Sequence, residues 1–307
     1  MINSILIFIG SVIGAGFASG QEIQLFFKCS SDLLSVFISV ILFTICPLKV
    51  YLDTYRLGIS DYGEYLSVKT GVFSGYFRII SILFSISSYC IMVCGINTVF
   101  ENIGINYAGI VFAMLCFFMF FKELKALEIV NAISTPVIIA GIILTAGKNL
   151  PVFNIAGTKG IYYASYNILS CLPVLVSFNT YFKAKKQAVL SALISGGLTG
   201  LLIYLIYLVI PITQVEMPML YAAENAGMTS FYTAVLILAM LTTAASSGMC
   251  FIKSAPFRPL HSNLTLAAVS ILTIPFGFSE MVEKLFGFFG IASAVLLLFI
   301  LAPIKNK

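Results

Sequence analysis

Charge is what this sequence is short of. Of 307 residues, 9% are Asp, Glu, Lys or Arg, while 60% are hydrophobic and the mean hydropathy is +1.06. A soluble domain of this length needs far more surface polarity, so the composition excludes one and indicates a polytopic membrane protein, with the lipid bilayer as its first partner. Histidine is nearly missing. His261 is the single copy, which removes most multi-histidine metal chemistry. The seven cysteines, Cys29, Cys46, Cys90, Cys94, Cys116, Cys171 and Cys250, are scattered in apolar runs without CxxC spacing. Neither a disulfide framework nor a metal knuckle is indicated. No paired carboxylates, histidine cluster or nucleophile motif falls at a common depth, so a membrane enzyme is disfavoured and no catalytic residue is assigned. The first apolar segment has no basic stretch before it and exceeds a usual h-region, so it is not expected to be a cleaved signal. The net charge of +5 reads as topology rather than as affinity for nucleic acid.

What is present is a succession of apolar runs bounded by charge clusters, glycine and proline. About ten spans are expected, near 2–27, 33–55, 76–100, 105–121, 124–147, 161–182, 187–212, 230–253, 262–278 and 281–304. With the N-terminus inside, Lys28, Lys148, Lys159 and Lys284 are the only basic residues outside. The other 13 of 17 fall inside, from Lys49 and Arg56 to Lys305 and Lys307. This bias obeys the positive-inside rule and places both termini in the cytoplasm of a bacterial plasma membrane. Ten spans divide as five and five. An odd number per half inverts the second half relative to the first, giving repeats over 1–150 and 151–307 of one transmembrane domain. The inside loop from Arg56 to Gly75, with Asp61, Glu64 and Lys69, suits a short interfacial helix. Lys183-Ala184-Lys185-Lys186 is most simply a topology signal.

Two spans are interrupted. Gly10 to Glu22 reads GSVIGAGFASGQE. Each glycine weakens a helix by about 1 kcal/mol against alanine, and a carboxylate inside a membrane costs several more. Freed backbone groups at that depth are tolerable only where they line a cavity or meet a ligand. The expectation is a broken helix: about 2–13, an unwound stretch near 14–19, and a half-helix from about 20. Its counterpart, the sixth span, holds Tyr166-Asn167-Ile168-Leu169-Ser170-Cys171-Leu172-Pro173. Proline removes a helical hydrogen bond and crowds the previous turn, so a second break is expected there. Matching breaks in two halves point to a transporter site at the midplane. The glycine cluster also looks like a variant dinucleotide fingerprint, but the following apolar span leaves no βαβ unit to hold one.

The stretch GSVIGAGFASGQE with Leu25-Phe26-Phe27 resembles the first helix of the YkvI family of bacterial membrane proteins. These are similar to the amino acid–polyamine–organocation superfamily, which implies an all-α, LeuT-type five-plus-five inverted repeat with helices 1 and 6 broken. Ser165-Tyr166-Asn167, Leu241-Thr242-Thr243 and Gly287-Phe288-Phe289-Gly290 fit the same pattern. The outside loop Gln214–Met228, with Met217-Pro218-Met219-Leu220, resembles the lid loop between spans 7 and 8. In such a fold the broken spans rock against a bundle of spans 3, 4, 8 and 9.

The candidate site follows. Gly14, Ala15, Gly16, Ser19 and Gly20 would form the unwound segment, with amides of the following half-helix facing an anionic group. The same glycines also suit plain close packing. Phe17 is a candidate apolar wall. Tyr89 would reach the substrate from the third span, and Tyr166, Asn167 and Ser170 from the sixth. Glu22 fits either a favourable charge at a helix start or an ion-coupling site. As a carboxylate it favours a substrate with an amine, or a coupling cation. Thr242 and Thr243, with Ser246 and Ser247 one turn on, offer hydroxyls to Na⁺, and Thr242-Thr243 resembles the Thr-Ser pair of the fold's common sodium site. Backbone bonding within the helix is the plainer role for them. The fifth span carries Glu128, Asn131, Ser134, Thr135 and Pro136 and no lysine at mid-depth, unlike proton-coupled relatives. The sequence thus points to a secondary transporter of a small amino acid or amine, Na⁺-coupled before H⁺-coupled, with no other cofactor. A ligand-sensing subunit of the germinant-receptor kind is the alternative from another class.

Overall fold

The structure, a computed structural model, describes residues 2–28, 33–101, 104–145, 159–178, 182, 184–211, 215, 217–276 and 278–304, without the side chains at 28, 123, 124 and 126. Cys29, Lys148, Lys183, Gln214, Lys305 and Lys307 lie outside the described residues. Helix is the regular structure among those described, with no strand. That is what a chain in lipid requires, because a helix satisfies its own backbone.

The first expected span is filled by three pieces: α1 (Ile2–Val12), α2 (Ala15–Ala18) and α3 (Gln21–Ile23), the last running into a π-helical turn, Gln24–Lys28. Then come α4 (Leu33–Leu57), α5 (Tyr62–Thr70), a 3₁₀ turn Gly71–Phe73, α6 (Ser74–Glu101), α7 (Ala108–Phe120) and α8 (Glu123–Thr145). The second half holds α9 (Lys159–Ser177), α10 (Lys185–Val209), α11 (Pro218–Asn225), α12 (Thr229–Ser254), α13 (Pro259–Thr273) and α14 (Phe278–Leu301). Six stretches among the described residues are long and apolar enough to cross a membrane on their own: α4, Tyr62–Glu101, Leu127–Thr145 of α8, α10, α12 and α14. The chain is a multi-pass membrane protein.

Burial is distributed as lipid demands. Phe118, Leu272 and Leu298 are 67%, 75% and 69% exposed, whereas Asn131, Asn167 and Thr242 are buried. Apolar side chains cost nothing against acyl chains, so polar ones turn inward to find partners. The helices α4 and α10 pack along each other, as do α6 and α12. Both α4 and α14 pack on α9, α12 also on α8, α14 also on α6, and α1 on α8 and α10. Small residues set the closest approaches. A Cβ at Gly160 of α9 would lie 2.1 Å from the Ser35 carbonyl oxygen of α4, and one at Gly200 of α10 would lie 2.6 Å from Val40.

The expected short helix between the second and third spans is α5. Asp61 caps it, accepting from the Glu64 amide at 2.8 Å. Its Lys69 reaches across to Asp53 of α4 at 2.7 Å, which Lys49 also holds at 2.6 Å. The same ammonium donates to the Ile300 and Ala302 carbonyls at 2.9 and 2.8 Å, capping the end of α14.

One expectation fails. The sixth span is not broken at Pro173: α9 runs from Lys159 to Ser177 with the proline inside it. Its turn is braced from outside, since the Cys250 thiol of α12 donates to the Ser170 carbonyl at 3.0 Å. Proline removes one hydrogen bond, here the one to the Leu169 carbonyl, and so loosens a helix without ending it when packing against neighbouring helices holds the turn. Pro47 and Pro136 are likewise carried inside α4 and α8.

Candidate functional site

The break in the first span is built by glycine. At the end of α1 the Gly14 amide turns to the Val12 carbonyl at 2.9 Å, not to Gly10 four residues back. One turn of helix follows, so the stretch expected to be unwound over 14–19 is instead two short breaks around α2. Gly20 makes the second break, in the left-handed region at φ +78°, and starts α3. The carbonyls this loosens are met from outside. Tyr232 of α12 donates its hydroxyl to the Ala18 carbonyl at 2.7 Å, and the Met219 amide of α11 donates to the Ser19 carbonyl at 2.8 Å. The expected lid loop therefore contacts the break directly.

The sideways steps swing Glu22 back into the interior. It is 3% exposed, and its carboxylate lies where a Gly16 Cβ would be, 2.2 Å from Oε1. Tyr166 of α9 donates its hydroxyl to Glu22 Oε2 at 2.6 Å. Aromatic packing fixes that tyrosine. Its ring stacks on Phe286 of α14 at 5.0 Å and 21°, meets Tyr163 edge-on at 5.6 Å, and lies 6.0 Å from Phe84 of α6. The Asn167 amide donates to the Tyr163 carbonyl at 3.0 Å, and the Ser170 hydroxyl to the Asn167 carbonyl at 2.7 Å.

These groups surround a cavity of ≈ 20 Å³, room for about one water molecule. Its described lining gathers Gly14, Glu22, Tyr166, Asn167, Ser170 and Thr243 from the sequence-based set. Ser11, Phe84, Ser88, Met92 and Phe286 complete it with Val12, and sequence reasoning passed over them. Ser11 Oγ is buried with no hydrogen-bond partner among the described residues. Phe84, Ser88 and Met92 recur every four residues on α6, a helical spacing that marks one face. Tyr89, the neighbour singled out instead, turns to Phe120 of α7 with ring centroids 6.0 Å apart. Phe17 is fully buried but off the cavity, so Phe84 and Phe286 make the apolar walls. Ala15, Gly16, Ser19 and Gly20 shape the backbone without lining the cavity.

Thr243 sits against this break, and Thr242 is its buried neighbour on α12. Their hydroxyls both donate to the Ala239 carbonyl, at 2.9 and 3.1 Å, which draws three oxygens together. Ser246 and Ser247 bond back to the Thr242 and Thr243 carbonyls at 2.9 and 2.6 Å. A Cβ on Gly14 would fall 2.7 Å from Thr243 Oγ1. A larger cavity of ≈ 280 Å³ lies beyond Glu22, between the π-helical turn, Val215 and α14. Gln21 Nε2 and Ser279 Oγ bridge its walls at 2.7 Å.

No protein-family model matches the chain. It is 25% identical over 337 aligned positions, 98% of this chain and 96% of the other, to the Bacillus subtilis (strain 168) protein called "Uncharacterized protein YyaD". Among solved structures it is similar to Mhp1, a nucleobase-cation-symport-1 family transporter in a closed conformation with bromovinylhydantoin bound. That match has a TM-score of 0.65 at 14% identity, over 97% of this chain and 76% of the other. The likeness spans nearly the whole chain, and this membrane protein shares its helical fold with that transporter.

Proposed function

We propose that this protein is a secondary transporter that carries a small amine or amino acid across the plasma membrane by alternating access. The observation that carries the proposal is the buried carboxylate of Glu22, set among the rings of Tyr166, Phe84 and Phe286 beside a small cavity at a helix break, which must widen to admit a solute. A carboxylate attracts an ammonium group, and aromatic faces attract cations within about 6 Å of their centroids. Ser11, Ser88 and Asn167 add hydrogen-bonding groups. A carboxylate-only solute would be repelled there. The fold shared with a cation symporter favours transport over the alternative sensor. Membership of the YkvI family belongs to the same proposal.

The coupling ion in this reading is Na⁺, held by the Ala239 carbonyl and the Thr242 and Thr243 hydroxyls, with Ser246 steadying their helix. Oxygen ligands of this kind suit a hard cation. Thr243 against Gly14 would link ion occupancy to the break in the first span. An inverted repeat is supported by the packing. Exchanging the first five spans for the last five maps the α1–α8 contact onto α9–α14, α4–α9 onto α10–α1, and α8–α12 onto α14–α6. The pairs α4–α10 and α6–α12 map onto themselves.

The test is uptake of labelled amines and amino acids into proteoliposomes, driven by a Na⁺ gradient and compared with choline. Saturable uptake that exchanges with internal substrate is expected. It should be lost in Glu22→Gln, which keeps an acceptor for Tyr166, and should need more Na⁺ in Thr243→Ala. Uptake indifferent to Na⁺ would remove the sodium site. Saturable binding with no exchange would overturn transport in favour of sensing.

A further inference from the structure

A separate cavity of ≈ 290 Å³ opens where α7, α12 and α13 meet at their basic ends. Its walls are apolar: Phe120 and Phe121 at the end of α7, Met249 and Ile252 on α12, and Leu260 on α13. The packing that makes it is specific. The Phe120 ring is seated on Gly248, where a Cβ would come within 2.1 Å of Cζ. Asn263 Nδ2 donates to the Phe117 carbonyl at 2.8 Å, tying α13 to α7.

Two polar side chains reach this apolar space, Lys253 and Asn263. Asn263 is buried, and its Oδ1 has no hydrogen-bond partner among the described residues. The rim is basic. Lys122 follows Phe121, Arg258 precedes Pro259, and both are exposed. Across 117–125 and 249–263 the sequence carries Lys122, Lys125, Lys253 and Arg258 against one acid, Glu123. The flanking helices present exposed Phe118 and Leu264, an apolar surface that suits acyl chains. Basic pockets between membrane helices suit acidic lipid head groups, because the charge attracts phosphate while the apolar wall takes the chain.

We propose that this cavity binds an anionic glycerophospholipid of the phosphatidylglycerol type. Its phosphate meets Lys253 and the Arg258 and Lys122 rim. One acyl chain runs along Met249, Ile252 and Leu260, and a head-group hydroxyl donates to Asn263 Oδ1. Lys253 also donates to Ser177 Oγ at 3.2 Å, at the end of α9. Lipid occupancy therefore bears on the same helix that carries Tyr166. The proposal does not depend on what the central cavity transports.

The experiment uses the full chain purified in neutral detergent. Native mass spectrometry and thermal unfolding are read with added phosphatidylglycerol, phosphatidylcholine, or sn-glycerol 1-phosphate with inorganic phosphate. Phosphatidylglycerol should stay bound and raise the melting temperature, and phosphatidylcholine should not. Each rim charge removed should weaken retention about fivefold, in Lys253→Gln and further in Lys253→Gln/Arg258→Gln. Lys186→Gln on α10 should leave it unchanged. Ile252→Trp, which fills the groove and keeps every charge, should also release the lipid. If Ile252→Trp does not fold, shortening the lipid's acyl chains should weaken its binding. Equal retention of the two lipids, or no effect of Lys253→Gln, would overturn the site. Competition by the soluble phosphates as strong as that by the lipid would overturn the lipid assignment.

Discussion

Gly14→Ala is the sharpest test of how the first span is seated. An added Cβ would lie 2.7 Å from Thr243 Oγ1, 3.2 Å from its Cγ2 and 3.5 Å from its Cβ. Ordinary contact begins at 3.4 Å, so the break must retreat from α12 by up to 0.7 Å or Thr243 must turn. Turning is restricted, because the hydroxyl is bonded to Ala239 at 3.1 Å and threonine in a helix has two open rotamers. The backbone adds nothing: Gly14 has φ −81° and ψ −176°, open to any residue. The expected effect is therefore overpacking, about 1–3 kcal/mol of destabilisation. Thr243→Ala removes both close atoms and leaves only the 3.5 Å contact. The double variant should recover most of the loss, a coupling of about 1–3 kcal/mol in a double-mutant cycle. Denaturant unfolding in mixed micelles measures it. Gly197→Ala serves as control, since its Cβ meets nothing within 4 Å and should stabilise α10 by about 0.5–1 kcal/mol. Additivity of the two substitutions within about 0.5 kcal/mol would refute the contact and, with it, the link between the break and the hydroxyl pair.

Further outcomes follow from other contacts. Gly160→Ala meets the Ser35 backbone carbonyl at 2.1 Å, which cannot swing aside as a side chain can. It should cost about 3 kcal/mol or more and reduce the folded, monodisperse fraction in size-exclusion chromatography. Tyr166→Phe keeps the ring stack on Phe286 and removes the donor to Glu22. A bond to a charged group is worth roughly 1.5–3 kcal/mol, so stability should fall by that much, and by less on a Glu22→Gln background. Lys69→Gln leaves Asp53 with Lys49 alone and uncaps α14. Breaking a buried pair costs about 3–5 kcal/mol, and Lys49 should hold the loss near the lower end, read by the same unfolding assay.

The sequence by itself determined a great deal here, because a bilayer is a demanding solvent. Sparse charge and long apolar runs already required helices that bury their polar groups. Gly14 and Gly20 marked where the first span yields, since no packing partner is needed to see that four clustered glycines beside Glu22 make a poor anchor. Asp61 and the charges after it gave α5 away for the same local reason. What the tertiary structure decided is which side chains meet. Pro173 looked like a second break, yet α9 stays whole, braced at Ser170 by Cys250 from a helix 80 residues away. Tyr89 and Ser88 are neighbours in sequence, and only the rotation of α6 against α7 and α14 sends one to Phe120 and the other to the cavity. The partnership of Glu22 with Tyr166 spans 144 residues. Propensity and periodicity are local, whereas the orientation of a helix about its own axis is set by everything packed around it.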